Sequence, residues 1–465
     1  MATIESPPVD IGLQLTNAVG LVQLSATSFD PRYVLRAFRE LSALRRSISK
    51  GDLVALIKKI YPAEYPTVKN LLAVLSTEDS MEVDTESQAD VAADLEAIEE
   101  IDLFIHLLVQ FNIHDSGDVK ALCAFNSTLI PLLKCYNKRG LDHIQSKVWY
   151  YIFRGCELSG DVTSIRSDLM SALRTATLRH DDETRGMIIT LLLRSYMLNN
   201  EINLAYNFVE KTEFPEVTGS VGARYFYYLA RIHTIQLDYS TGNEFAITAL
   251  RKCPQGDSAL GFLQCVTKLH IIIQLLMGEI PELAIFKDSK FEACLRPYAA
   301  VTKAVRLGDL TLFNSALEKY SSFLKKDNNY NLVLRLRQNV IKTGIRLISL
   351  AYKRISLKDI CIKLHLENEL SAEYIVAKAI NDGVVDATID HTKGYMQSNE
   401  LVDVYGTTGP QSEFDRRIKF CMTLHNESVK AMRYPINKGR VDEKNESEAR
   451  SKEQELIAYL QEDDF

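Results

Sequence analysis

Four times in the middle of the chain, a short turn carrying an acid opens a run whose apolar residues recur at helical spacing. Asn200-Glu201 leads to Ala205 and Phe208, Leu237-Asp238 to Phe245 and Ala249, Gly278-Glu279 to Leu283 and Phe286, and Gly308-Asp309 to Phe313 and Leu317. From acid to acid the separations are 37, 41 and 30 residues, each about the length of one helix pair. An acid at a helix start complements the backbone dipole, and small residues such as Ala205 and Ala249 let neighbouring helices approach closely. No single pair can bury its own apolar stripe, so the pattern predicts a stacked helical solenoid with a long surface left for partners. An irregular all-helical domain without true repeats is the competing reading. Only 12 Pro and 21 Gly interrupt 465 residues, which favours helix throughout, and the length exceeds what one compact core supports.

The flanking segments divide by pattern. Residues 1–28 lack a sustained period and read as a flexible N-terminus. Structure is expected from Asp30-Pro31, an acidic cap with Pro at the first helical position, giving N-terminal helices over 29–76. Between Thr77 and Asp102 lie eleven acids and no Lys or Arg, so 77–94 reads as an acidic, self-repelling loop that could also attract a basic partner. Helical spacing resumes at Leu95, Ile98, Ile101 and Ile105 and carries the repeat array over 95–353.

Beyond Lys353 the pattern shortens. Ser356 to Asp359 has a capping-box look, a second helix runs through Ile375, Val376 and Ala379 to a stop at Gly383, and Val384–Ile389 with Tyr395–Gln397 reads as a hairpin. Helix, turn, helix and hairpin over 354–405 make a winged helix. A long helix is expected over 412–434, its Phe414, Ile418, Cys421, His425, Val429 and Met432 on one face, followed by a charged tail over 435–465 in which Leu456, Ile457 and Leu460 could form a last short helix. The fold class is therefore mainly α: a TPR-like helical-repeat solenoid, a winged helix and a long C-terminal helix.

Catalytic and cofactor chemistry finds no signature. There is no G-x-x-x-x-G-K-[ST] or G-x-G-x-x-G to cradle phosphate, no H-E-x-x-H or H-x-H among nine histidines, and no local nucleophile motif around any cysteine. We therefore expect no enzyme activity, metal or cofactor. The eight widely spaced cysteines read as buried thiols in a reducing compartment. Arg179 to Glu183 reads as a helix start, and the aromatics of Arg224 to Tyr228 as core. A net charge of −7 gives no general attraction to nucleic acid or anionic lipid, no uninterrupted apolar run reaches membrane length, and MATIESPPVD lacks signal-peptide character. A cytoplasmic and nuclear location follows as the expectation.

Two surface readings remain. On the helix from Asn331 to Lys353, Val333, Leu336, Val340, Gly344, Leu347 and Ala351 share one face. Arg335, Lys342, Arg346 and Lys353 fall in a strip opposite, which either docks an acidic partner or is simply solvated. The second winged-helix helix, Ser371 to Asp382, holds Glu373, Asp382 and one Lys378, too acidic for phosphate contact and better suited to protein.

Five strings carry a resemblance: Asp30-PRYVLRAFRELSALR, Ala223-RYFYYLARIHTIQLDYSTGNE, His270-IIIQLLMGEIPEL, Leu334-RLRQNVIKTGIRLISLAYKRISLKDIC and Val429-KAMRYP. With the repeat-plus-winged-helix plan, they make the chain similar to the PCI-domain subunits of the proteasome regulatory-particle lid, over about 29–435. The resemblance implies a non-catalytic scaffold supporting assembly and ubiquitin-dependent protein degradation. It implies a hetero-oligomer with other PCI lid subunits and contact with a small acidic lid subunit, without membrane or nucleic acid. It makes Val384, Val385, Ala387 and Ile389 a strand edge open to a neighbouring winged helix, and Phe414, Ile418, Cys421, Val429 and Met432 a stripe buried in a helical bundle. The alternatives are a PCI-type adaptor of another complex or a nucleic-acid-associated winged-helix protein.

Overall fold

The computed structural model describes residues 11–45, 47–61, 71, 72, 75, 99–136, 138–215, 219–254, 256, 259–366, 368–399, 404–432, 451 and 452. The acidic stretch 77–94 and Leu456, Ile457 and Leu460 lie outside the described residues, as do Leu95 and Ile98.

The first correction concerns the N-terminus. Residues expected to be flexible contain helix α1, Ile11–Ser28, whose Leu15, Ala18, Val19 and Val22 are buried. These residues stand three and four apart and form one stripe, but Thr16, Asn17 and Gly20 between them dilute the signal in sequence. The stripe packs on α2 (Arg32–Leu44), α3 (Lys50–Ile60) and α4 (Glu99–Ser116). Ser49 starts α3 with a full capping box, its hydroxyl accepting from Asp52 N.

The array continues through α5 (Val119–Cys135), α6 (Asp142–Ser159), α7 (Arg166–Arg179), α8 (Asp182–Leu198), α9 (Ile202–Lys211), α10 (Ser220–Ile235) and α11 (Tyr239–Lys252). It ends with α12 (Leu260–Met277), α13 (Leu283–Lys287), α14 (Glu292–Leu307), α15 (Leu310–Lys326) and α16 (Tyr330–Ala351). Three of the acids that announced the starts stand at N-caps, and Asp238 and Asp309 accept from Thr241 N and Thr311 N. Glu201 makes no capping bond and pairs instead with Arg166 at 2.7 Å. The start at Gly278-Glu279 departs from the pattern, because Pro281 intervenes and only the five residues of α13 are helical.

The core is continuous. One cluster runs from Leu15 to Ile232, a second from Ala230 to Val340, and a third from Ile345 to Met396; Tyr227 and Phe245 pack on the first two, Ile341 and Leu366 on the last two. Helix α12 is long and apolar enough to cross a membrane by composition, at a mean hydropathy of 1.6. Here it lies within the array with Leu269, Ile271, Ile272 and Ile273 buried, and its Lys268 is paired to Asp327 at 2.9 Å.

Helix α16 links the array to the winged helix. Its Val333, Leu336 and Val340 belong to the second cluster and its Ile345 and Ile348 to the third. At the join, a Cβ on Gly344 would stand 2.9 Å from Gly308 O and 2.7 Å from Leu364 Cδ2. Gly308 itself caps α14 in the left-handed region at φ 68°, so glycine is required on both sides of the contact. Leu347 and Ala351, placed by periodicity on the buried face, are exposed; they lie past the join, where the face turns away from the array.

The winged helix consists of β1 (Arg354–Ser356), α17 (Leu357–Lys363), α18 (Glu369–Asn381), β2 (Ala387–Asp390) and β3 (Tyr395–Ser398). Its sheet has three strands in the order β1-β3-β2, all antiparallel, where the sequence suggested a hairpin alone. Three residues of Arg-Ile-Ser are too few to show a period. Helix α19, Gly409–Met432, follows.

Candidate protein-interaction surfaces

The wing presents an open edge. Along β2 and the residue before it, the backbone groups facing β3 are those of Asp386, Thr388 and Asp390: Asn399 N donates to Asp386 O at 3.0 Å, Gly394 N to Asp390 O at 2.9 Å, and Thr388 pairs with Gln397. In an antiparallel ladder the alternate residues point their backbone groups the other way. The N–H and C=O of Ala387 and Ile389 therefore face outward, and among the described residues no strand pairs with them. Val384 and Val385 do not belong to this edge, contrary to expectation. Gly383 ends α18 at φ 69°, with Gly383 N on Ile380 O and Val384 N on Ala379 O. That turn places Val384 in the helix exit and buries Val385 in the winged-helix core.

Helix α19 is the second surface. No residue of its 24 is buried. At 1.5 Å per residue it extends about 36 Å. Phe414, Ile418, Cys421, His425, Val429 and Met432 are all exposed, Phe414 at 65% and Met432 at 77%. Phe420, Met422 and Leu424 widen the apolar surface beyond the anticipated stripe. Charged pairs such as Lys419 with Asp415, at 2.6 Å, decorate the rest.

The basic strip on α16 divides. Arg335 is half-buried and donates from Nη1 to Thr234 O at 3.2 Å and from Nη2 to Ile235 O at 3.1 Å, so it caps the C-terminal carbonyls of α10. One turn on, Asn339 Nδ2 donates to Leu275 O and Leu276 O and does the same for α12. Lys342 pairs with Asp382 at 2.8 Å, and its ammonium holds the Asp382 carboxyl below the usual range. Only Arg346 and Lys353 keep exposed side chains, so the four cations do not form one docking strip.

On α18, Leu370 and Tyr374 are 74% and 75% exposed, and Glu373 accepts from His391 Nδ1 at 2.7 Å. An apolar, acidic face is unsuited to a phosphate backbone. Of the cysteines, Cys135, Cys265 and Cys421 are exposed, not buried as expected, because each sits on a solvent-facing position of its helix. Asp181 caps α8 by accepting from Thr184 N, and Tyr225 and Tyr228 are buried.

A family description of PSMD3-like N-terminal TPR repeats matches residues 12–302, the PCI domain matches 317–400, and a description of the C-terminal part of proteasome regulatory subunits matches 403–465. The 26S proteasome regulatory subunit RPN3 of Saccharomyces cerevisiae is 42% identical over 453 residues, covering 91% of this chain and 87% of that protein. The chain belongs to the proteasome regulatory subunit 3 family. The probable subunit rpn3 of Schizosaccharomyces pombe is 41% identical, covering 94% and 88% of the two chains, and the probable non-ATPase regulatory subunit 3 of Anopheles stephensi is 40% identical, covering 95% and 88%. The TPR-like match thus ends within α14, the PCI match takes in the second half of α15, all of α16 and the winged helix, and α19 lies in the C-terminal match.

Proposed function

We propose that this chain is a non-catalytic scaffold in the lid of the proteasome regulatory particle, where it joins neighbouring PCI subunits and supports ubiquitin-dependent degradation. The reading rests on α19: a helix of this length with a continuous apolar face and no buried residue is stable in water only when that face is covered. Its occupant is a bundle of equivalent helices from sister subunits. The wing edge at Ala387 and Ile389 accepts a strand or loop from the adjacent winged helix, since unpaired backbone groups favour strand addition. A small acidic lid subunit is a further partner, and the chain works in cytoplasm and nucleus, as the particle does.

Two variants test this. Ile418→Asp places a charge in the stripe, and Ile389→Pro removes an outward N–H at an edge position that tolerates Pro. Both are expected to lower recovery of the tagged chain in lid assemblies, read by native mass spectrometry, with unchanged helical content of the free chain. Normal incorporation of both would refute the reading.

A further inference from the structure

A cavity of about 90 Å³ lies between α5, α6, α7 and the start of α8, and none of its lining residues belongs to the wing or to α19. Ser171, Ala172, Thr175, Ala176 and Arg179 stand three and four apart along one face of α7 and form one wall. The two alanines are short enough to leave the space open, and Leu133 of α5 and Trp149 of α6 complete its apolar lining.

Two buried polar groups in this lining lack what burial demands. Gln145 is 6% exposed, its Nε2 is buried without a hydrogen-bond partner, and among the described residues its side chain makes no hydrogen bond. Asp181 is 4% exposed; it accepts from Thr184 N at 3.0 Å, and among the described residues no cation pairs with it. Native interiors leave few such groups unpaired, because each loses hydration it does not recover. Both line the same cavity. Thr184 Oγ1 donates to Asp142 O at 3.1 Å and so ties the start of α8 to the first residue of α6, one turn before Gln145, which brings the two groups to one end of it. Two cations also line the cavity: Lys134 is committed to Asp168 at 3.0 Å, whereas Arg179 donates to Tyr136 O at 3.4 Å and makes no ion pair among the described residues.

The Asp181 carboxylate can only accept. The Gln145 amide is held at neither end, so its NH2 can turn to an acceptor in the cavity, and buried N–H groups are left unpaired less often than carbonyls. The occupant must therefore donate and accept at once. A carboxylate would face Asp181, and an ammonium would face Arg179 and leave the Gln145 N–H groups unpaired. We propose that the cavity binds a primary carboxamide, which donates to Asp181 and accepts from Gln145 Nε2 while its methylenes lie along Ala172, Ala176 and Trp149. A volume near that of three waters, at about 30 Å³ each, admits this head group with two methylenes and excludes a ring or a nucleotide. The glutamine side chain of a partner's segment and a free small amide share this chemistry. The site belongs to the array alone and does not rest on lid incorporation.

Trp149 is the chain's single tryptophan, so fluorotryptophan labelling gives the full-length protein one fluorine resonance, at the cavity wall. Titration with propionamide, the analogue of the glutamine side chain, should shift it saturably, and propionate and propylammonium at equal concentration should shift it far less. Gln145→Leu should weaken propionamide about fivefold, the equivalent of one neutral hydrogen bond, with an unfolding midpoint no lower than wild type because an unpaired buried amide is gone. Asp181→Asn keeps a capping oxygen but replaces the other acceptor by a donor, and should reverse the preference toward propionate, whereas damage to the fold would weaken both ligands. Acetyl-Gly-Gln-Gly-amide distinguishes the sources: binding at least as tight as that of propionamide supports a partner's chain, and binding of propionamide alone supports a free amide. No saturable shift with either, an equal response to propionate, or an unchanged preference in Asp181→Asn would overturn the proposal.

Discussion

Replacing Arg335 by Met keeps the aliphatic stem and removes the two bonds that tie α16 to the end of α10. Both acceptors, Thr234 O and Ile235 O, are carbonyls in the last turn of that helix, beyond its regular ladder, and Thr234 O has in addition a long 3.4 Å bond from Leu237 N. A hydrogen bond from a charged donor contributes about 1.5–3 kcal/mol. Arg335 is half-buried, so water can partly replace it, and the lower end applies to each bond, giving about 3 kcal/mol for the pair. The cation at a helix C-terminus adds a few tenths to about 1 kcal/mol. The effect is local, so amide hydrogen exchange is the assay. The N–H groups of Gln236 and Asp238, which bond Ile232 O and His233 O at the same helix end, should exchange about a hundredfold faster or more, the equivalent of that energy. Arg346→Met, on the same helix but exposed, should change nothing there. Unaltered exchange at these amides in Arg335→Met would show that the guanidinium is not a cap and would return it to the solvated strip.

Gly344→Ala should lower thermal stability by about 1–3 kcal/mol, as overpacking does, because its Cβ meets Gly308 O at 2.9 Å; a calorimetric midpoint equal to wild type would contradict the tight join. Burial first and Asp181 second raise the Asp142 carboxyl to about 7 from its ordinary 3.8, opposed by Arg139 and Arg179. A folded pKa above the unfolded one means the folded state holds the proton more tightly, so this group's contribution falls as pH rises from about 4 to 7. Asp142→Asn should therefore raise the unfolding midpoint relative to wild type at pH 8 and hardly at pH 4, as read by thermal melts at both values. In the free chain, alkylation should reach exposed Cys135 and Cys421 before buried Cys253 and Cys361. Cys421 alone should then become protected in the assembled lid, which peptide mapping checks.

The helical class, the acids at Asp238 and Asp309, the cap at Ser356 and the apolar stripe of α19 were all legible in sequence, because each depends on residues within a few positions of one another. The sequence also placed Val333, Leu336 and Val340 correctly on a buried face, since period alone decides which side of a helix is apolar. Period does not decide what that side, or the opposite one, will touch. Arg335 looked free on its own helix, and its partner Thr234 lies 101 residues away. The strand at Arg354–Ser356 exists because Tyr395–Gln397 comes to lie beside it, and Val385 left the wing edge because Gly383 turned the chain first. Local periodicity wrote the elements and their apolar faces into this sequence; stacking, through contacts that only a closed array can bring together, decided which cations became caps and which surfaces stayed open.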